Sequence, residues 1–279
     1  MESYPQIGAL NLNAVDEFGV QWITDRDGVQ GWGAPQGTLA PVQRTRQAGA
    51  WGGISYSKAR SMVLKGTAIA PTPGLASDAL DRLNDACSLD DTVLTVVESG
   101  RARWCTVRRD GDVIPAWLSD VAFTWSVQVV ALDPRKFADE LTASTNLPSS
   151  SGGLTVPFTV PFSVNAVTNS GQVSLENVGN EAGPVVLRID GPCTGPVITH
   201  VGSGLALVFA SSLVLGAGEW LTVDMEARSV MANDQASRSG YVISRGWSNF
   251  TPGQNTWAFT AAAYDWAARL TVSATPAWK

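Results

Sequence analysis

His200 is the only histidine in the chain, so any catalytic arrangement that needs an imidazole must use it. It stands in THVG between two strand-like runs, and no GxSxG elbow accompanies it, so it reads as a strand or turn residue rather than a base. Cys87, Cys105 and Cys193 are far apart and lack CxxC spacing. Three scattered thiols and one imidazole do not make a zinc set, and an odd count suits free, buried thiols in a chain made in a reducing cytosol. Asp224 and Glu226 in WLTVDMEARSV form the best carboxylate pair for glycoside hydrolysis. They alternate with Leu221, Val223, Met225 and Ala227, however, so the simpler reading is a strand that turns its apolar set to a core and its acids to water. The Gly-rich pieces GWGAPQG and GSGLAL lack the preceding strand and following helix of a GxGxxG phosphate loop, and read as turns. No catalytic residue, metal site or cofactor is therefore expected, and the chain reads as a non-enzyme.

Binding chemistry is a second class. Trp247, Trp257, Trp266 and Trp278 gather late in the chain. Trp257 alternates with Phe259 and belongs to a core by period-2 patterning, whereas Trp247 sits in the turn-like SRGWSNFTPGQN, where an exposed indole could stack on a sugar ring. Trp247 is the candidate glycan contact.

The elements that must hold these residues are strands. Charged residues make up 16% of the 279 while Gly (27), Pro (15) and Trp (11) are plentiful, a profile of short strands joined by many turns. The length suits two domains of roughly 130 to 150 residues each. A net charge of −6 argues against a nucleic-acid partner. The densest basic patch, RWCTVRRD, reads as a solvated hairpin with Arg108 and Arg109 beside a turn at Asp110-Gly111. MESYPQIGALNLN has no basic n-region or long apolar run, so no signal peptide is expected, and no segment approaches the roughly 18 to 20 apolar residues of a membrane span.

In VAFTWSVQVVALD, Phe123, Trp125, Val127 and Val129 share one face of a long half-buried strand. SMVLKGTAIA, TVLTVVES and the pair QIGALNLN and FGVQWITD extend an antiparallel sheet or small barrel. One amphipathic helix is expected over 76–87, with Ser77 as cap and Leu80, Leu83 and Cys87 on its apolar face. From residue 154 onward, GQVSLEN, PVVLRIDG, PVITHVG, LALVFASS, EWLTVDMEARSV, NTWAFTA and ARLTVSA follow at sandwich or jelly-roll spacing. Between the halves, SSSGGLTVPFTVPFSV joins a Ser/Gly hinge to a strand whose Pro157 and Pro161 confine it to an edge. The expected fold is mainly β: an antiparallel β-sandwich or split barrel with one helix over 1–140, a linker over 141–153, and a second β-sandwich over 154–279.

The ordered set RQAGAWGGISYSKARSMVLKGTAIAP, ALDRLNDAC, WSVQVVALDPRKF, LPSSSGGLTVPFTVPFSV, NVGNEAGPVVLRIDGPC, LVLGAGEWLTVDMEARSVMAND and RGWSNFTPGQNTWAFTA resembles the distal tail proteins of long-tailed phages and their gene-transfer relatives. The resemblance spans nearly the whole chain. It implies an N-terminal β-domain that assembles into a hexameric ring and a galectin-like C-terminal sandwich. It also implies a structural virion component of the tail tip and baseplate, made in the bacterial host cytoplasm. The implied partners are other copies of the chain, the tail tube protein, the tail hub protein, the tape-measure protein and receptor-binding proteins, with no membrane and no sequence-specific nucleic acid.

Within that frame, Arg44, Arg46, Trp51, Ile54 and Tyr56 are the candidate oligomer interface, because aromatic and Arg anchors dominate interfaces and GAWGGISYS fits no strand core. The rival reading makes Trp51 a buried plug of its own domain. Arg135 in ALDPRKF is either a junction residue or an exposed turn Arg. The alternative function is a carbohydrate-binding tail accessory protein using Trp247, and a third is a glycoside hydrolase using Asp224 and Glu226.

Overall fold

The computed structural model of the protein describes residues 3–151, 167–169, 171–263 and 265–279. Pro157 and Pro161, and with them the expected edge strand, lie outside the described residues. The protein is mainly β, and its contacts divide it into two compact units, Met1–Ala138 and Asp139–Trp278.

The first unit is one strongly bent antiparallel sheet. Its strands run in the order Leu10–Asn11, Ser3–Ile7, Thr92–Glu98, Arg101–Ser119, Ala122–Ala131, Arg60–Ile69, Gln21–Thr24. Residues 12–15 stitch the two edges together. Leu12 N–H donates to Pro5 O at 2.9 Å on one side, while Trp22 N–H donates to Ala14 O at 2.9 Å and Thr24 Oγ1 to Leu12 O at 2.7 Å on the other. The result is a nearly closed barrel with few open edges. QIGALNLN and FGVQWITD supply strands that stand at opposite edges of this sheet.

Period-2 patterning fills the barrel as expected. Phe123, Trp125, Val127 and Val129 are all buried, facing Met62, Leu64 and Ala68 of the neighbouring strand. Trp22 meets Phe123 and Trp125 edge-on, each with ring centroids 6.4 Å apart. Gly66 interrupts an otherwise bulky strand because a Cβ there would stand 2.7 Å from the Trp125 ring and 2.4 Å from Ile23 O.

The helix spans Pro73–Ala86, beginning earlier than the residues 76–87 expected. Thr72, not Ser77, caps it by accepting the Leu75 N–H at 3.4 Å, and Pro73 occupies the first turn, where its fixed φ fits and its missing N–H costs nothing. Ala76, Ala79 and Leu83 are buried, with Cys87 at the C-cap beside them. Asp110-Gly111 is also not the hairpin turn. Arg101–Ser119 is one strand, bulged between Arg109 and Val113, and the chain reverses only at Asp120-Val121.

The second unit is a β-sandwich. One sheet orders Leu141–Asn146, Arg269–Ala274, Val185–Asp190, Trp220–Asp224, Ser229–Ala232 and Ala236–Ser237. The other orders Gln172–Asn177, Gly253–Ala263, Cys193–His200, Leu205–Phe209 and Val242–Arg245. Leu187, Ile189, Leu221, Val223, Leu270 and Val272 of one face Ile198, Leu207, Trp257 and Phe259 of the other across a single core. Two expectations change here. EWLTVDMEARSV is not one strand but a hairpin, turning at residues 225–228 with Arg228 at φ 55°. Leu141–Asn146, expected to belong to the linker, is a full strand paired to Arg269–Ala274, and Leu147 enters the core. Its small polar residues read as loop, yet Thr142 and Ser144 are merely the solvent side of an alternating strand.

Candidate assembly surfaces

Between Trp32 and Arg60 the chain leaves the barrel wall, and both stems of this excursion are held by one buried cation. Arg60 is 1% exposed. Its Nε and Nη2 donate to Pro134 O at 3.0 and 2.6 Å, and its Nη1 donates to Trp32 O at 3.0 Å and also to Gly33 O. A guanidinium suits this place because its rigid fork of donors reaches several carbonyls that no single backbone N–H could satisfy. Lys136 Nζ donates to the same Trp32 O at 3.0 Å and lies 5.3 Å from the Trp32 ring. The Trp32 indole N–H in turn donates to Glu98 Oε2 at 3.1 Å. Burial, and then the neighbouring Arg60 charge, lower the Lys136 pKa to about 8, and burial pushes the nearby Cys105 thiol up to about 12. Gly31 is required in this stem, since at φ 86° a Cβ would stand 2.3 Å from Ser61 O.

Beyond that root, residues 34–59 are exposed apart from Pro35 and Arg44. The segment folds on itself as a narrow β-arm: Gly37 and Thr38 pair with Ser57 and Tyr56, and Val42 and Gln43 pair with Trp51 and Ala50. Arg44 N–H donates to Gly49 O at 3.2 Å to close the tip. All five candidate interface residues lie on this arm. The Arg44 guanidinium stacks 4.4 Å from the Trp51 ring, and Arg46 stands in the tip turn. Trp51 is 63% exposed and Ile54 76%, with Tyr56 also in solvent, so Trp51 is not a buried plug. The arm adds Leu39 and Val42, which the sequence reading passed over.

A second exposed apolar group was not anticipated. On the outer half of the long hairpin, Ile114, Trp117 and Leu118 face water, with Trp117 leaning on Phe123 at 5.1 Å between centroids. The available signal was VIPAWLS, where the apolar residues do not alternate and so cannot all face one core. Arg135 is held by its own neighbour: its Nε and Nη2 donate to the Asp133 carboxylate at 2.6 to 3.0 Å.

In the second unit the chemistry-bearing residues are consumed by structure. His200 is buried against Trp257. Asn255 Nδ2 donates to Thr251 O and Gly253 O, which fixes its Oδ1 as the acceptor of the His200 Nε2–H at 3.1 Å. The His200 Nδ1 is then left to accept from the Ser203 hydroxyl at 2.8 Å. Asp224 Oδ1 accepts from the backbone of Glu226 and Ala227, so it builds the hairpin turn, while Met225 between them is buried. Trp247 is partly buried and packs on the sandwich core, whereas Trp266 is 85% exposed. Cys87, Cys105 and Cys193 are free and buried. Among the described residues no cluster of three or more His, Cys, Asp or Glu is placed to hold a metal.

Solved structures of phage proteins are similar in fold to the whole of this chain. The crystal structure of the SPP1 Dit (gp 19.1) protein, described as a paradigm of the hub adsorption apparatus in phages infecting Gram-positive hosts, is similar with a TM-score of 0.69. That match covers 100% of both chains at 12% identity. Structures of the phage P2 baseplate in its activated conformation, with Ca and with Sr, are each similar at a TM-score of 0.50. They are 9% and 10% identical, covering 99% and 97% of this chain and 98% and 97% of theirs. At such identities the likeness is one of fold. No protein-family model and no curated protein matches the chain.

Proposed function

We propose that this chain is a structural, non-enzymatic component of a phage-type tail tip, a distal tail protein whose copies form a hexameric ring joining the tail tube to the hub. The observation that carries this reading is the match to SPP1 Dit over the whole length of both chains, across two units of different architecture. One shared sandwich would say little, because common folds host many functions. The exposed arm supports it further: a narrow two-stranded β-arm bearing Leu39, Val42, Trp51, Ile54 and Tyr56 in water is marginally stable alone and suits a covering partner. In this reading the first unit forms the ring and the second is an attachment module for receptor-binding proteins. The protein works in the virion after synthesis in the host cytoplasm.

Native mass spectrometry of the purified chain tests the ring. Six copies, or a pair of such rings, support it. A monomer whose tryptophan fluorescence is quenched by host polysaccharide would replace it with the glycan-binding alternative.

A further inference from the structure

We infer that Ser203 is an activated nucleophile, a site at which the protein accepts an acyl group from an activated ester. The inference is independent of the oligomer proposed above.

Three side chains of the sandwich stand in the order nucleophile, base and orienter. The Ser203 hydroxyl donates to His200 Nδ1 at 2.8 Å, and His200 Nε2–H donates to Asn255 Oδ1 at 3.1 Å. Asn255 is held in turn by Thr251 O and Gly253 O, which accept from its Nδ2 at 2.6 and 2.8 Å. With its Oδ1 committed to that role, the amide selects the tautomer whose Nδ1 lone pair faces Ser203. A hydroxyl within hydrogen-bond reach of an oriented imidazole is the arrangement that activates serine nucleophiles, and it is recognised by geometry rather than by sequence position. Here Nδ1 and not Nε2 faces the hydroxyl, and either ring nitrogen can take the proton.

The backbone fixes this pair and leaves the serine open. His200 pairs with Leu205 across the ladder, and Gly204 N–H closes the turn on His200 O at 2.9 Å, with Gly204 at φ 70°. His200 is buried against Trp257 while residues 201–205 are exposed, so the base is shielded and Ser203 meets solvent. Ser203 Oγ accepts one further hydrogen bond, from Leu205 N–H at 3.3 Å, which leaves one lone pair for attack. The Gly202 and Ser203 N–H groups donate to nothing among the described residues and are free to stabilise charge developing on a carbonyl oxygen. No GxSxG elbow marks this serine because it stands on a hairpin turn between two strands, not on a strand-to-helix turn.

The step balances on these groups. Ser203 Oγ forms a bond to the ester carbonyl carbon while its proton passes to His200 Nδ1. The bond from that carbon to the leaving oxygen then breaks, and the leaving oxygen takes the electron pair and the proton from Nδ1. Acyl-Ser203 and a free alcohol are the products. One acyl group per chain is the whole of the reaction, which makes Ser203 a modification site on a structural protein.

A fluorophosphonate probe tests the nucleophile on the full chain: the Oγ–P bond forms, the P–F bond breaks, fluoride leaves with the electron pair and His200 takes the proton. Peptide mass spectrometry locates the adduct, with circular dichroism as the folding check for variants. One adduct per chain is expected, on Ser203, and none on the exposed Ser144 and Ser174, because the chain holds no second histidine to serve them. Ser203→Ala should abolish the adduct, and His200→Gln should slow its formation at least about tenfold. Asn255 is a positioning residue. A carboxylate in its place stabilises the imidazolium that forms, so folded Asn255→Asp should be labelled faster than wild type, which a purely structural role for Asn255 does not produce. An unlabelled wild type, or labelling spread equally over exposed serines, overturns the inference, as does a folded His200→Gln variant labelled at the wild-type rate. With p-nitrophenyl acetate as donor, wild-type Ser203 should carry an acetyl group, and its absence overturns the acyl step.

Discussion

The two units handle their polar and apolar groups in opposite ways. The sandwich closes its interior on itself. His200, Ser203, Asn255 and Thr251 satisfy one another, Asn177 spans Glu181 O and Phe250 O, and Asp224 and Asn233 tie turns to strands. The barrel instead buries two cations, Arg60 and Lys136, against backbone carbonyls at the base of an arm that stays in water with its apolar side chains uncovered. The root is held by hydrogen bonds, while the residues beyond it stay exposed. A buried guanidinium contributes little net stability compared with an apolar side chain, but it fixes one geometry. The difference teaches that in the barrel, buried charge positions a surface, whereas in the sandwich buried polarity completes a fold.

The strongest test of that contrast is Arg60→Ala. Removing the fork leaves the Gly33 and Pro134 carbonyls without its donors and Trp32 O with Lys136 alone, and stability by chemical denaturation should fall by about 3 kcal/mol together with any assembly. Asn255→Ala is the counterpart in the sandwich. It strands His200 Nε2–H and the Thr251 groups and should lower that unit's stability by about 2 kcal/mol while leaving the native mass unchanged. A loss of assembly with a small loss of stability in Asn255→Ala would dissolve the comparison.

Smaller effects sharpen it. Lys136 titrates at about 8 when folded against 10.5 unfolded, so the unfolded chain holds more protons between these values and stability rises with pH there. Between pH 8 and 9 the Lys136 contribution alone should be a gain of about 1 kcal/mol, opposed by the buried Cys87, Cys105 and Cys193 thiols, whose unfolded forms ionise near 9 while burial holds the folded ones protonated; it is therefore read as the difference between wild type and Lys136→Met, in which the thiol contribution cancels. Least of all in stability, Trp51→Ala should lower stability by under about 0.5 kcal/mol because its side chain is mostly in water and stacks on Arg44, yet it should weaken assembly. A folded Trp51→Ala variant that forms the intact oligomer would take Trp51 out of the contact.

Much of this was legible beforehand where period-2 alternation and burial coincide. The strand Ala122–Ala131 and the inward Trp257 follow from side chains that must leave water, and the turn-building role of Asp224 agrees with its outward position. The exposure of Trp51, Ile54 and Tyr56 has the converse reason: GAWGGISYS carries large apolar residues but no alternation. Two features escaped. Leu141–Asn146 looks like linker because an edge strand can be built from small polar residues. The helix starts at Pro73 because proline, a breaker elsewhere, is well suited to a first turn.

What the chain's own pattern determined is therefore local: which residues are strand, which faces are apolar, that one helix interrupts them, and that a single histidine stands with three widely spaced cysteines. The tertiary structure alone decided what is distant in sequence. It set Ser3–Ile7 and Gln21–Thr24 at opposite edges joined by residues 12–15, brought Arg60, Trp32, Pro134 and Lys136 to one root, and put the arm and the turn of the long hairpin at opposite ends of one barrel. Alternation reports the partition of each side chain between water and core, which is a property of that side chain. Partners far along the chain are selected by the closure of the whole sheet, and no short window of sequence contains that information.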